Sequence, residues 1–327
     1  MRKTISLDHG NRLMKSCRNV FPSSFVESKY TPPIGGDVLN YDGKTFVLTD
    51  QCLPVMNDKT IDERYFILSL FAIGKELAGD AEIVEKFVKS NQFKIDDYIK
   101  IDLLIGLPIQ HYVAHMERFE KYFSKRTDVI RYEMNGTTFS IKIVSVHAFP
   151  QAYSAAMTIH DSLNETNIAN IIDIGGFTVD CLQMKKRKPN NNLFQSLYYG
   201  VNTLFQSIND QMRSSGGKEI CNSIIEGILN KDPSDLATYS RQRVETIISA
   251  AVTHTQRMLA EIAQKGYDFE EDKTVFMGGG SILLREYIEQ TKIVKKAHFI
   301  DDIHANAKGY RLLYDKKMKK INQTQGA

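Results

Sequence analysis

No cysteine pair, no long apolar run and no excess of one charge sign stands out in this sequence, and each absence closes a class of function. The four cysteines, Cys17, Cys52, Cys181 and Cys221, lie far apart with no C-x-x-C spacing, which argues against a zinc site and against a disulfide framework. The eight histidines show no metal-ligand spacing. No stretch approaches the roughly 18 apolar residues of a membrane span, and the run after Arg2 and Lys3 is too short for a signal peptide. Lys plus Arg number 42 against 39 for Asp plus Glu, and the charges are scattered, so nothing calls for a nucleic acid or an anionic membrane as a direct partner. The one basic run, Lys185 to Lys188, reads as a solvated hairpin tip. The expectation is a soluble cytoplasmic protein.

Two nucleotide-binding signatures are missing as well. There is no G-x-x-x-x-G-K-[ST] loop, and no G-x-G-x-x-G fingerprint with an acidic strand end about 20 residues on, so P-loop and dinucleotide folds are disfavoured. What is present is enough chain for two domains: 327 residues exceed one simple core, and a cleft between domains is where small-molecule sites tend to form.

Residues 3 to 8 read as a strand, Asp8 to Leu13 as a turn and residues 14 to 20 as a return strand, so the chain opens with a hairpin. "YTPPIGGDVLNYDGKTFVLTD" is a small excursion with its own hairpin around Asp42 and Gly43. "DERYFILSLFAIGKELAG" gives a helix whose apolar face runs through Tyr65, Leu68, Ala72 and Leu77 and which ends near Gly79; Tyr65, Phe66 and Phe71 belong to a core. "YIKIDLLIGLP" is a buried strand followed by a helix over about 110 to 124. "TFSIKIVSVHAFPQAYSAA" repeats the event, with a break at Phe149 and Pro150 and a helix beginning near Gln151. "NIANIIDIGGFTVDCLQM" is strand, glycine turn and return strand. Residues 200 to 213, about 218 to 230, and one long stretch with a stripe at Val244, Ile247, Ile248, Ala251, Met258, Leu259 and Ile262 read as helices. "KTVFMGGGSILLREYIEQT" is strand, glycines and helix, and the final segment a short helix with a basic, frayed tail. Strand and tight turn thus occur twice, at Asp8 and at Asp173, which points to two related halves.

The two turns, "DHGNRLMK" and "DIGGFTVD", each place a carboxylate at the end of an apolar strand with a glycine two positions on, where backbone N–H groups can approach an anion. Two such loops facing each other would grip a polyphosphate. Carboxylates repel phosphate, so Asp8 and Asp173 make sense through a cation, most simply hydrated Mg²⁺, while Lys15 supplies a point charge. "GGGS", Gly278 to Ser281, lies between a strand and a helix, where missing side chains let a base or ribose rest on the backbone. Either D-x-G turn alone reads as a plain hairpin; it is the pair that carries the inference. His147 reads as a packed or exposed histidine rather than a catalyst.

In "LDHGNRLMK", "IIDIGGFTVD" and "VFMGGGSILL" the sequence resembles the two phosphate loops and the adenosine loop of the actin, heat-shock chaperone and sugar kinase superfamily, in the family's order over nearly the whole chain. "DERYFILSLFAIGKEL", "IGLP", "YYGVNTL" and "NAKGY" resemble the ParM-type actin-like proteins that segregate bacterial plasmids. The resemblance implies an α/β actin-like fold of two duplicated ribonuclease H-like domains around a nucleotide cleft. Domain I would span 1–165, with a small inserted subdomain over about 31–95, and be rejoined by about 302–327; domain II would span 166–301. It further implies that Asp8 and Asp173 hold Mg²⁺ through water, that Gly10, Asn11 and Lys15 meet the β- and γ-phosphates, and that Gly175, Gly176 and Thr178 cradle them from the other side. Gly278, Gly279, Gly280 and Ser281 would line the adenosine pocket, with Gly200 facing it, and Lys218 and Glu219 would approach ribose or base. Gln151 falls where the family puts a Gln or Glu facing the γ-phosphate; an amide is no strong base, so it would orient the attacking water while the cation and loops stabilise charge.

The function so implied is an ATPase, with GTP an open alternative, that polymerises into filaments and moves plasmid DNA through a DNA-binding adaptor, without binding nucleic acid or membrane itself. A small-molecule kinase of the same superfamily is the second reading. Against it, no further acidic base with a polar substrate loop lies between the two phosphate turns, and the excursion over 31 to 60 is small. A chaperone-like ATPase would need a peptide-binding domain, for which the chain ends too soon after the adenosine loop.

Overall fold

The almost unbroken burial along Ile99–Leu107, where Lys100 alone is exposed, explains the first sheet. Leu103 and Ile105 point into one apolar cluster while Leu104 points into another on the opposite face, so this strand is covered on both sides. The computed structural model describes residues 1–29, 35–50, 56, 58–85, 97–163, 166–186 and 188–325. They form two compact units, Met1–Thr158 with His304–Ala327, and Ile159–Ile303. Of the inserted subdomain expected over about 31–95, residues 31–34, 51–55, 57 and 86–95 lie outside the described residues.

In the first unit β1 (Arg2–His9), β2 (Leu13–Lys15) and β3 (Val20–Pro22) run antiparallel, and β4 (Phe25–Ser28), β5 (Val38–Tyr41) and β6 (Lys44–Leu48) follow. The return strand after the first turn is therefore shorter than expected and breaks between Lys15 and Val20. The β5–β6 turn is the expected one, with Asp42 at φ 51° and Gly43 at φ 71°, the paired left-handed geometry of a two-residue hairpin. Next come α1 (Arg64–Ala78), α2 (Ala81–Ile83), β7 (Ile99–Leu107), α3 (Ile109–Ser124), β8 (Ile130–Met134) and β9 (Thr137–Pro150). The sheet order is β3-β2-β1-β7-β9-β8-β5-β6-β4, with β1, β7 and β9 parallel. The excursion hairpin thus joins the main sheet through β8.

At Phe149 and Pro150 the strand continues rather than breaks. The helix expected at Gln151 starts only at Tyr153, as the short α4 (Tyr153–Ala156), and passes into a 3₁₀ segment, Met157–Leu163. The C-terminal helix, Ala305–Gln325, is long rather than short, and its Tyr310 and Tyr314 bury against Leu104 and Phe149 of the sheet. This covers the face opposite α1 and α3.

In the second unit β10 (Ile168–Ile174), β11 (Val179–Lys185) and β12 (Lys188–Leu197) are antiparallel. The basic tip between the last two exposes Lys185 and Lys186, with Arg187 outside the described residues. Then follow α5 (Val201–Ser214), α6 (Asn222–Leu229), α7 (Pro233–Thr238), α8 (Arg241–Gln264), β13 (Lys273–Met277), α9 (Gly279–Thr291) and β14 (Ala297–Phe299). The helix expected over about 218 to 230 begins only at Asn222. The expected long helix is preceded by a separate one, because the Asp232 carboxylate caps Ser234 and Asp235 N–H groups with Pro233 at the first helical position. The stripe of α8 packs as its spacing predicts, with Ile247, Ala251, Met258, Leu259 and Ile262 buried.

The sheet order, β12-β11-β10-β13-β14, repeats the first unit's β3-β2-β1-β7-β9: three antiparallel strands, then two parallel ones. The two halves are duplicates in topology, although little in their sequences declares it.

His9, the last residue of β1, is fully buried among aromatic rings of the first core. Its imidazole sits 5.3 to 5.9 Å from the rings of Tyr65, Phe119 and Phe123, with Nε2 2.8 Å from the Ser69 hydroxyl. Burial, reinforced by the Lys59 ammonium, pushes it well below its ordinary range. The unfolded chain takes up this proton near pH 6.5 while the folded one does not, so stability is full above that pH and declines below it, at up to about 1.4 kcal/mol per pH unit. Urea denaturation at pH 7.5 and 5.5 should show this loss, and His9→Leu should show a smaller one.

Candidate functional site

The expected site residues fall into two sets, one in each unit. In the first unit the antiparallel register sets Asp8 opposite Lys15. The Asp8 side chain is almost fully buried, and its charge is met by three groups. Oδ1 accepts from Gln151 Nε2 at 2.6 Å and from the Tyr310 hydroxyl at 3.4 Å, while Oδ2 lies 3.6 Å from Lys15 Nζ. A buried carboxylate needs such partners. An ionised carboxylate only accepts, which fixes the orientation of the Gln151 amide: its N–H₂ faces Asp8 and its carbonyl is left to accept elsewhere.

The turn between Asp8 and Lys15 is shaped by Gly10, where a Cβ would lie 2.4 Å from the Leu13 carbonyl oxygen. The Gly10 carbonyl accepts from Ser23 Oγ at 2.6 Å, and the His9 carbonyl from Lys59 Nζ. Asn11 Oδ1 accepts from the Tyr65 hydroxyl at 2.8 Å and from the Met56 N–H at 3.4 Å. Lys59, Asn306 and Tyr310 carry no site role in the sequence reading and Tyr65 only its core position, which it has here, because their polar contacts lie far away along the chain. "NAKGY" was noticed only as a resemblance, yet two of its residues touch this set.

In the second unit the loop Gly175–Thr178 is held mainly by the main chain. Gly175 N–H donates to Thr178 O at 2.9 Å. At the start of α5, Gly200 N–H donates to Phe177 O, Val201 N–H to Gly175 O and Asn202 N–H to Gly176 O, at 3.0, 3.1 and 2.7 Å. In a trans peptide the N–H opposes the C=O, so the amides of Gly176, Phe177 and Thr178 point away from α5. Amides turned outward in this way could approach an anion. Gly200 lies directly beneath this loop, since a Cβ there would come within 2.4 Å of Phe177 backbone atoms.

The three glycines of "GGGS" divide their work. Gly278, at φ 85°, would place a Cβ 2.3 Å from Asp173 Oδ1, and Gly280 would place one 2.5 Å from Ile174 Cγ2. Both let α9 start tight against the strand that carries Asp173. Gly279 alone has nothing within 4 Å, so it is the open surface at the helix N-terminus. Ser281 is buried, its hydroxyl donating to Gly278 O at 2.8 Å, so it closes the helix start rather than facing that surface. Lys218 and Glu219 are exposed in the connection before α6, and Glu219 pairs with Arg213 of α5.

Asp180 was also missed, although it stands in the quoted motif. It is the cross-strand partner of Asp173, which sets two carboxylates on one face of the hairpin, and its Oδ2 accepts from the Thr178 hydroxyl at 3.3 Å. Like charges opposed in this way favour a shared cation. Among the described residues no group of three or more His, Cys, Asp or Glu could hold a metal by itself. One or two carboxylates with the remaining positions left to water and phosphate is the donor set that suits Mg²⁺.

Residues 6–153 match the model of the actin-like proteins' N-terminal domain, and residues 171–290 that of the archaeal actin homologue MreB-like C-terminal domain. No curated protein sequence matches the chain. Among solved structures, the archaeal actin homologue Ta0583 in complex with ADP is 17% identical, with 96% of this chain and 99% of that one aligned at a TM-score of 0.70. The 15-stranded ParM filament from Clostridium botulinum is 17% identical over 97% and 100%, at 0.71. The actin-like protein Alp7A is 13% identical over 100% of both chains, at 0.70. At such identities these likenesses speak for the fold, while the two domain models between them span most of the chain. The chain belongs to the actin-like proteins, and it shares its fold with the subunit of a ParM filament.

Proposed function

We propose that this protein binds ATP with Mg²⁺, hydrolyses it, and polymerises into filaments that move and segregate plasmid DNA. The observation that carries the catalytic part is the 2.6 Å hydrogen bond from Gln151 to Asp8. It commits the amide nitrogen to the phosphate-loop carboxylate and leaves the carbonyl oxygen to accept a hydrogen bond from an attacking water. Lys15 meets the phosphates. The turned-out amides of Gly176 to Thr178 bind the same polyphosphate, and Gly279 offers the open backbone on which the adenosine rests. Asp8 and Asp173, with Asp180 beside the latter, would hold Mg²⁺, which would supply charge neutralisation for the phosphates.

The polymerising part is supported by the solved relatives, one of which is itself a ParM filament. Subunits meeting head to tail make a heterologous contact that does not close, which yields a filament. Nucleotide controls it only if ATP binds the assembly-competent conformation more tightly than the other. Transport of a plasmid further requires a DNA-binding adaptor, since the chain's scattered charge offers no nucleic-acid surface of its own.

With purified protein, ATP and Mg²⁺, light scattering should rise above a critical concentration and negative-stain images should show filaments that are absent without nucleotide. ADP formation that instead depends on an added sugar or carboxylate, with the phosphoryl group recovered on that acceptor and no filaments, would establish the kinase. Asp173→Ala should abolish both phosphate release and assembly; undiminished turnover would remove Asp173 from the site. Gln151→Ala should slow hydrolysis on the order of 100-fold, the effect of a misplaced reacting group, while filaments still form and last longer. Loss of ATP binding in that variant would make Gln151 a structural residue.

A further inference from the structure

The chain makes an unusual turn directly after Gln151. Ala152 has φ 58° and ψ −57°, and Tyr153 N–H donates to Gln151 O at 2.6 Å. This is the γ-turn with a positive central φ, a sparsely populated conformation for a residue with a Cβ, and it persists only where the surroundings hold it. Ala152 is fully buried, so its N–H must find a partner inside the protein. That partner is the side-chain oxygen of Asn306, at 2.9 Å, in the first turn of the C-terminal helix and itself buried. On the other side, Gln151 N–H donates to Leu107 O at the end of β7, at 2.8 Å.

The helix that carries Asn306 has little freedom to move. One turn further on, a Cβ at Gly309 would lie 2.0 Å from the Ser154 carbonyl oxygen, so the backbones of this helix and α4 are in close contact. Tyr310 stacks on Phe149 with ring centres 5.8 Å apart, and its hydroxyl reaches Asp8, the same oxygen that Gln151 holds. The γ-turn is therefore clamped between the sheet and a rigid helix. The direction of the Gln151 side chain follows from that clamp.

We infer that Asn306 is a positioning residue for hydrolysis: by accepting the Ala152 N–H it maintains the γ-turn that aims the Gln151 amide at Asp8. The inference rests on the reading of Gln151 as the group that orients the attacking water. Without the Asn306 oxygen the buried N–H loses its acceptor, the turn relaxes to negative φ, and Gln151 leaves Asp8. Asn306 touches neither nucleotide nor water in this scheme, so ATP affinity stays as it is.

The test measures phosphate release and ATP affinity for the wild type, Asn306→Ala, Asn306→Asp, Gln151→Ala and the double variant with both alanines, with circular dichroism to establish folding. Asn306→Ala should lose on the order of 10- to 100-fold in kcat with unchanged ATP affinity. Asn306→Asp, which keeps an acceptor oxygen at the same reach, should restore most of the turnover. In the Gln151→Ala background Asn306→Ala should add no further loss. Full turnover in Asn306→Ala, equal losses in both backgrounds, or a fall in ATP affinity that matches the fall in kcat would overturn the inference. Should Asn306→Ala not fold, a folded Asn306→Asp that binds ATP normally yet turns over as slowly as Gln151→Ala overturns it too. A wild type that releases no phosphate from ATP defeats the ATPase reading and this inference together; a wild type that turns over beside an unaffected Asn306→Ala defeats only the inference.

Discussion

The Asp8 carboxylate is a buried charge at the end of a strand, and much of the first unit is arranged around keeping it there. A buried ion is tolerated only when its lone pairs are occupied, and the three groups that do so come from three separate elements, two of them distant in sequence. Lys15 arrives on the next strand, Gln151 from the end of β9, and Tyr310 from the C-terminal helix. The carboxylate is thus the knot that ties the first turn to the Gln151 amide and to the last helix. Of the three contacts, the one to Lys15 is the loosest, at 3.6 Å. In the ATP complex proposed above it is also the one that a phosphate would compete for, drawing the ammonium away without undoing the hydrogen bonds that hold Gln151.

The two halves share a strand order but stiffen their loops by different means. In the first unit side chains do the holding: Ser23, Lys59 and Tyr65 bind the Gly10 carbonyl, the His9 carbonyl and the Asn11 amide. In the second the main chain does, with the start of α5 taking the carbonyls of Gly175, Gly176 and Phe177. Side-chain clamps depend on residues scattered over a unit, whereas a helix N-terminus brings its donors as a set. The second loop can therefore be written in one short motif, while the first needs help from the helix and turn that follow the excursion hairpin.

That difference governs what could be read from the sequence. The second loop, "DIGGFTVD", and the glycine turn at Gly278 carry their geometry locally, and the structure forms a strand, turn and strand, or strand and helix start, where the residues call for them. Asn306 and Tyr310 act across more than 150 residues, and nothing in their neighbourhood announces an acceptor for Ala152 or a donor for Asp8. Two local signals were present and went unused. Asn135-Gly136, with φ values of 50° and 77°, is a hairpin turn that implies the strand Ile130–Met134, and Asp232-Pro233 marks the start of a separate helix before the long one. The helix beginning misplaced at Gln151 has another cause: the turn there has a positive φ at alanine, which no propensity predicts, and it is stabilised by tertiary contacts alone.

The choice of an amide at position 151 follows from the burial of Asp8. A glutamate in the same place would set two carboxylates within hydrogen-bonding distance, and like charges so close cannot both stay ionised. One would be held protonated, and the group meant to engage the water would be drawn into sharing a proton with the phosphate loop. Glutamine avoids the conflict because a neutral amide both donates and accepts: its nitrogen satisfies Asp8 and its oxygen remains for water. The same choice limits what this residue contributes, since an amide can orient a nucleophile but cannot take its proton. In the reaction proposed above, rate acceleration would then come from the charge around the phosphates, such as Lys15 and a bound cation, so the placement of Gln151 would matter through geometry rather than through basicity.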